Sequence, residues 1–381
     1  MNYIDRLVAE LCPDGVEYRP LGELLAYEQP TKYLVSSKDY DESYPTPVLT
    51  AGKTFILGYT NETEGIYPAS EEEPVIIFDD FTTAFKWVEF PFKAKSSAMK
   101  MLTLKSGTNS LFKYVYYAMQ CIVYNSSDHA RQWISKYSNI EIPVPPLEIQ
   151  EAIVEILDKF TNLEAELEAE LEARTLQYKY YRDSLFEALD CPRVPLGSLG
   201  IRNKGITITA SKMRTLEPGN KDVRIFAAGS TFIDTDSSFI PDKGILEGPA
   251  IIVKSRGYIG FEYYEGKFTH KNELWSYSLT SDLVEQKFIY YYLLTQAYHL
   301  HELARGKSVK LPQLAVKDTD ELLVPVPSLE EQQRIVDILD RFDALTSSLS
   351  EGLPAELAAR RSQYEYYRDQ LLTFPRKGEN Q

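Results

Sequence analysis

Few residues in this chain have the types and spacing needed for catalysis. His299-Leu300-His301 separates two imidazoles by two positions, which cannot share one helical face, and no Glu or Cys stands at ligand spacing. Cys12, Cys121 and Cys191 are far apart in sequence and read as reduced thiols. Ala51-Gly52-Lys53-Thr54 has the ending of a phosphate-cradling loop, but the loop needs a glycine where Pro47 stands. Asp79-Asp80 follows an apolar run with no partner carboxylates at a recognisable spacing and reads as a turn after a strand. No Gly-x-Gly-x-x-Gly follows a strand, so neither a dinucleotide nor an S-adenosylmethionine site is supported. No catalytic constellation and no metal site is expected.

Recognition chemistry is better represented. Lys86, Lys93, Lys95 and Lys100 sit among Phe85, Trp87, Phe90 and Phe92, with Lys53 before them and Arg131 and Lys136 after. A second set comprises Lys254, Arg256, Lys267, Lys271, Arg305, Lys307 and Lys310, with Asn272 and Gln313 beside them. Ammonium and guanidinium groups neutralise phosphates, while Arg, Asn and Gln read base edges in the major groove. A solvated surface also carries lysines. The recurrence of two such sets at comparable positions is what favours DNA binding. The net charge of −15 argues the other way, but 12 acids against 4 bases lie in residues 146–191, whereas 192–325 hold 15 acids and 17 bases. A local basic face matters more than the sum.

These sets are positioned by a repeat. Apolar residues at Ile149, Ile153, Ile156, Phe160, Leu163 and Leu167 alternate steps of four and three, the period of a coiled-coil seam. No Gly or Pro interrupts Leu147 to Cys191, which predicts a helix of about 40 residues, roughly 60 Å long. It contains three tandem tetrads between Leu163 and Arg174. The stretch from Val324-Pro325-Val326-Pro327 repeats the one from Ile142 at a shift of 182, and Gln363-Tyr364-Glu365-Tyr366-Tyr367-Arg368-Asp369 repeats Gln177 onward at a shift of 186. Ser328 and Glu331 predict a capping box at the second helix. The extra four residues, with Gly352 and Pro354 nearby, predict a kink or break there. Tyr178, Tyr181, Arg182 and their counterparts Tyr364, Tyr367, Arg368 are types enriched at interface hot spots and are candidates for partner binding.

Between the helices the runs Pro47–Thr50, Val75–Phe78 and Met101–Leu104 read as strands, with a helix near Leu111 to Met119. Pro249–Val253 and Lys287–Tyr292 repeat that outline. The expected fold is α+β: two globular mixed α/β domains joined by two long helices in an antiparallel coiled coil, with a pseudo-twofold internal repeat. The expected division is 1–19 lead-in helix, 20–145 first domain, 146–190 first long helix, 191–327 second domain and 328–376 second long helix.

The chain resembles the DNA-specificity subunit of type I restriction-modification systems. The resemblance covers essentially all of it. It is carried by Ile142-Pro143-Val144-Pro145-Pro146-Leu147-Glu148-Ile149-Gln150 and Val324-Pro325-Val326-Pro327-Ser328-Leu329-Glu330-Glu331-Gln332, by the Tyr-Tyr-Arg-Asp blocks, and by Pro20-Leu21-Gly22 and Pro195-Leu196-Gly197. Ile149 stands where Glu is usual. The resemblance implies a non-catalytic reader whose target-recognition domains each bind half of a bipartite, asymmetric duplex sequence, with the helices setting the gap. It implies two modification subunits bringing S-adenosylmethionine and adenine methylation, and restriction subunits bringing ATP and Mg. No cofactor is then expected in this chain. Two other readings stay open: a coiled-coil scaffold without DNA binding, and a self-sufficient DNA adenine methyltransferase. No apolar run approaches membrane-spanning length, and no secretory signal is visible in Met1–Arg6, so a cytoplasmic location is expected.

Overall fold

Val75–Asp79 is apolar at four consecutive positions because both of its faces are covered. Ile76 and Phe78 point into a core shared with helices, whereas Val75 and Ile77 point into a second core against another sheet. The strand lies inside an antiparallel sheet ordered Leu25–Glu28, Met99–Leu104, Val75–Asp79, Phe85–Val88. The second sheet contains Ile56–Thr60, Thr46–Leu49 and Lys93–Ala94, the last pair parallel. A short ribbon pairs Glu17–Pro20 with Glu141–Val144 and brings the two ends of the domain together.

The computed structural model describes residues 3–52, 54–124, 130–216, 221–307, 311–348 and 350–378. They form two units, Met1–Glu166 with Leu357–Gln381, and Leu167–Glu356. The second unit repeats the topology of the first. Its main sheet is ordered Gly200–Lys204, Trp275–Leu279, Ala250–Arg256, Tyr258–Tyr264. Ile251 and Val253 face the helix-side core, and Ala250 and Ile252 face the other sheet. The ribbon recurs as Arg193–Pro195 with Leu323–Pro325.

The first long helix is continuous over Leu147–Glu187, 41 residues. Its beginning lies on its own domain, so Ile149 and Ile153 of the expected seam belong to the domain's core. Ile149, Ile153 and Leu157, at steps of four, are fully buried in the first domain's core. Phe160, on the seam, stacks on Tyr367 with centroids 5.6 Å apart and meets Tyr364 at 6.4 Å. Arg361 pairs with Glu164 at 2.6 Å, so numbering rises along one helix as it falls along the other, an antiparallel pairing. In the second unit Tyr178 and Tyr181 lie 6.1 and 5.8 Å from Phe342.

The expected break is real. One helix spans Leu329–Ser347 and the next Gly352–Leu371. Gly352 takes φ +72°, and a Cβ there would lie 2.5 Å from the carbonyl oxygen of Ala344. Gly352 opens the second helix in this left-handed conformation, and Pro354 falls in its first turn, where the missing N–H is tolerated. The capping box forms only by half: Ser328 Oγ accepts from the Glu331 N–H at 3.3 Å, but the Glu331 carboxylate is taken by Arg334 at 2.7 Å. Among the described residues no helix is long and apolar enough to cross a membrane.

Candidate nucleic-acid interface

In the second unit a tight hairpin joins Ala250–Arg256 to Tyr258–Tyr264 through Gly257, whose φ of +75° suits glycine. The chain returns past the helix Gln286–Gly306 and lays Pro312–Leu314 against this tip. Gly257 N–H donates to the Pro312 carbonyl at 2.9 Å, and Leu314 N–H to the Ser255 carbonyl at 2.8 Å. Arg256 and Gln313 are thereby bridged, and both are exposed. Tyr258 is 67% exposed and Leu311 52%. One sheet end thus presents a guanidinium, an amide and an aromatic ring. Guanidinium pairs with guanine O6 and N7, and a Gln amide with adenine N6 and N7.

The first unit builds the same edge with different chemistry. Asp79 caps the turn, accepting from the N–H groups of Phe81 and Thr82 at 3.0 and 2.8 Å. Asp80, fully buried, accepts from the N–H groups of Gln132 and Trp133 at 3.1 and 2.8 Å and pairs with Lys100 at 3.0 Å. Asp79 is the turn residue expected; Asp80 is an anchor. It holds the Ala130–Trp133 segment on the hairpin and leaves Arg131 exposed beside it.

Three lysines leave the candidate set. Lys100 is completely buried, its ammonium also reaching Gln29 at 3.1 Å. Lys93 is 4% exposed and bound to Glu62 at 2.6 Å and to the Glu64 carbonyl at 2.7 Å. The Lys93 ammonium draws the Glu62 carboxyl below its ordinary range. Lys254 is 3% exposed, pairs with Glu262 at 3.2 Å, and lies over the Phe226 ring; burial pushes its pKa down. An ammonium held in this way cannot reach a phosphate without abandoning its partner inside the protein.

The rest are accessible to different degrees. Lys86, Lys136, Asn272 and Arg305 are exposed. Lys95 is half-buried, donating to the Tyr40 hydroxyl at 2.9 Å. Lys267, Lys271 and Lys307 have acidic neighbours, Asp222 at 3.8 Å, Glu273 at 2.6 Å and Asp318 at 2.5 Å. Lys53 and Lys310 lie outside the described residues.

The partner-binding candidates also divide. Tyr178 packs on Phe342, and Tyr364 donates to Gln120 Oε1 at 2.5 Å. Arg182 and Arg368 each lie 5.7 Å from the ring of the Tyr four positions earlier and bind the adjacent Asp183 or Asp369. These four serve the interior of their own units. Tyr181 and Tyr367 remain 44% and 40% exposed, and the residues before them, Tyr180 and Tyr366, are 68% and 58% exposed. Each pair is edge-to-face, at 5.7 and 5.4 Å. Tyr180 and Tyr366 are absent from the sequence-derived candidates, although both belong to the repeated blocks.

Residues 13–173 and 220–359 match the type I restriction modification DNA specificity domain family. The chain belongs to this family. The specificity subunit of the type I restriction enzymes EcoR124I and EcoR124II of Escherichia coli is 43% identical over 407 residues, covering 99% of this chain and 98% of that one. Among solved structures, the type I restriction-modification S subunit of M. genitalium superposes with a TM-score of 0.58 at 17% identity, covering 94% of this chain and 96% of that one. A chain from a study of complex assembly and conformational transition in a type I restriction-modification system gives a TM-score of 0.56 at 15% identity, over 94% and 98%. At those identities the structural likeness is one of fold. Both matched segments of this type I specificity chain include a hairpin tip described above, Asp79–Ala84 and Arg256–Tyr258.

Proposed function

We propose that this chain is the DNA-specificity subunit of a type I restriction-modification complex, each unit reading one half of a bipartite, asymmetric duplex sequence. The observation that carries the reading is the duplicated edge. In both units a segment from late in the domain is bonded along the tip of the central hairpin, and it displays Arg131 in one and Gln313 beside Arg256 in the other. The residues differ while the framework repeats, which suits two modules reading different bases. The exposed pairs Tyr180–Tyr181 and Tyr366–Tyr367 are the surfaces proposed for two modification subunits. The helices set the gap. The chain itself performs no catalysis in this reading: S-adenosylmethionine belongs to the modification subunits, and ATP with Mg to restriction subunits.

The test is domain exchange followed by methylome sequencing. Replacing residues 20–145 with the corresponding domain of another family member, in cells holding the modification subunits, should change one half of the methylated sequence and preserve the other. A change in both halves refutes modular reading. Methylation by the purified chain alone would favour a self-sufficient methyltransferase, and absence of DNA binding with its partners would favour a scaffold.

A further inference from the structure

Each unit joins its domain helix to its long helix by the same polar contacts, although the surrounding residues differ. Tyr117, on the helix Phe112–Gln120, is 1% exposed and donates its hydroxyl hydrogen to Asp158, and Lys113 approaches the same carboxylate at 3.8 Å. In the second unit Tyr291, also 1% exposed, donates to Asp340 at 2.5 Å, and Lys287 pairs with it at 2.8 Å. Eight positions earlier on each long helix lies a fully buried glutamine. Gln150 accepts from Leu111 N–H at 2.9 Å and donates to the Pro145 carbonyl at 2.7 Å. Gln332 accepts from Glu285 N–H at 2.8 Å and donates to the Pro327 carbonyl at 2.9 Å.

Packing alone does not demand these groups. A phenylalanine fills the same space as a tyrosine, and apolar surfaces can rotate on one another at little cost. A buried hydrogen bond is directional and holds one register. Two anchors about 12 Å apart along a helix also stop a pivot that a single anchor would allow. The domain helix is itself seated on the reading hairpin: Phe112 and Tyr116 lie 4.9 and 5.4 Å from Trp87, and Tyr290 lies 5.6 Å from Tyr263. An unbroken chain of contacts therefore runs, within each unit, from hairpin to domain helix to long helix.

We propose that Tyr117 with Asp158, and Tyr291 with Asp340, are positioning pairs that fix the setting of each recognition domain on its long helix and so make the spacing between half-sequences strict. This rests on the specificity-subunit reading above and goes beyond it by assigning spacing fidelity to two hydroxyl groups that touch no DNA.

The test is the double variant Tyr117→Phe/Tyr291→Phe in the full chain, expressed with its modification subunits, with methylation measured at sites whose gap is native or one base pair longer or shorter. Methylation at off-length gaps should rise about tenfold relative to native-gap sites, the factor that the two lost hydrogen bonds together supply at the modest end of their net range. The bases read in each half should not change, and circular dichroism should show an intact fold. A folded double variant with unchanged gap strictness overturns the proposal and leaves the parent reading standing. A wild-type chain that directs no gapped methylation overturns both. Each single variant removes one oxygen atom and carries the same test should the double variant not fold.

Discussion

The ammonium of Lys100 lies 3.0 Å from the carboxylate of Asp80, and both side chains are sealed from solvent. Asp80 also receives two backbone N–H groups from the segment that displays Arg131. Replacing Lys100 with methionine strands a buried carboxylate, so Lys100→Met should destabilise the first unit by about 3–5 kcal/mol. Urea denaturation followed through Trp133 checks this. A loss below about 1 kcal/mol would place the pair among weakly contributing contacts.

Arg256 and Gln313 should set one half of the recognised sequence. Alanine at either position should weaken discrimination at a single base pair by about 1–3 kcal/mol while the other half is read normally. Methylome sequencing of each variant reports this directly. Uniform weakening across all sequences would instead mark both as phosphate contacts.

His270 makes the second unit acid-sensitive. Its Nε2 lies 3.2 Å from Ser276 Oγ and its Nδ1 3.2 Å from the Lys271 carbonyl. Burial lowers its pKa from 6.5 to about 4, with the Lys254 charge adding to the shift and Glu273 opposing it. The unfolded chain therefore binds the extra proton first as pH falls. Stability is full above about pH 6.5 and is lost progressively toward pH 4, by at most about 3 kcal/mol from this group. In denaturation curves across that range, His270→Gln should flatten the slope. An unchanged slope would assign the acid sensitivity to other groups.

Deleting one tetrad, Leu167–Glu170, removes about 6 Å of helix and just over one turn, so the faces before and after it stay nearly aligned. The gap in the methylated sequence should shorten by one or two base pairs. An unchanged gap would refute the ruler role of the helix.

The repeat, both long helices and the break near Gly352 were legible in the sequence because each is a matter of period and spacing along the chain. Three features were not. Lys93, Lys100 and Lys254 read like any strand lysine; their burial depends on Glu62, Asp80 and Glu262, which approach only in the folded sheets. Gln150 and Gln332 stand in a recognisable motif, but their roles depend on Leu111 and Glu285, which belong to other elements. Of the candidate tyrosines Tyr181 and Tyr367 are exposed, whereas Tyr178 and Tyr364 turn inward and Tyr180 and Tyr366 turn outward. Each step along a helix turns a side chain by about 100°, enough to exchange Tyr180 for Tyr178 between surface and interior.

The first unit is closed by its own tail. Val16 N–H donates to the Pro375 carbonyl at 2.8 Å, and Lys377 N–H returns to the Val16 carbonyl at 2.9 Å. Leu372 and Phe374 complete the core that Ile4 and Val16 begin. During synthesis, then, Ile4 and Val16 must wait for Leu372 and Phe374, which are made only after the whole second unit. The second unit, uninterrupted from Leu167 to Glu356, can fold while the first still lacks its closing helix. Domains ordinarily mature in the order in which they leave the ribosome; here the later one has the means to finish first.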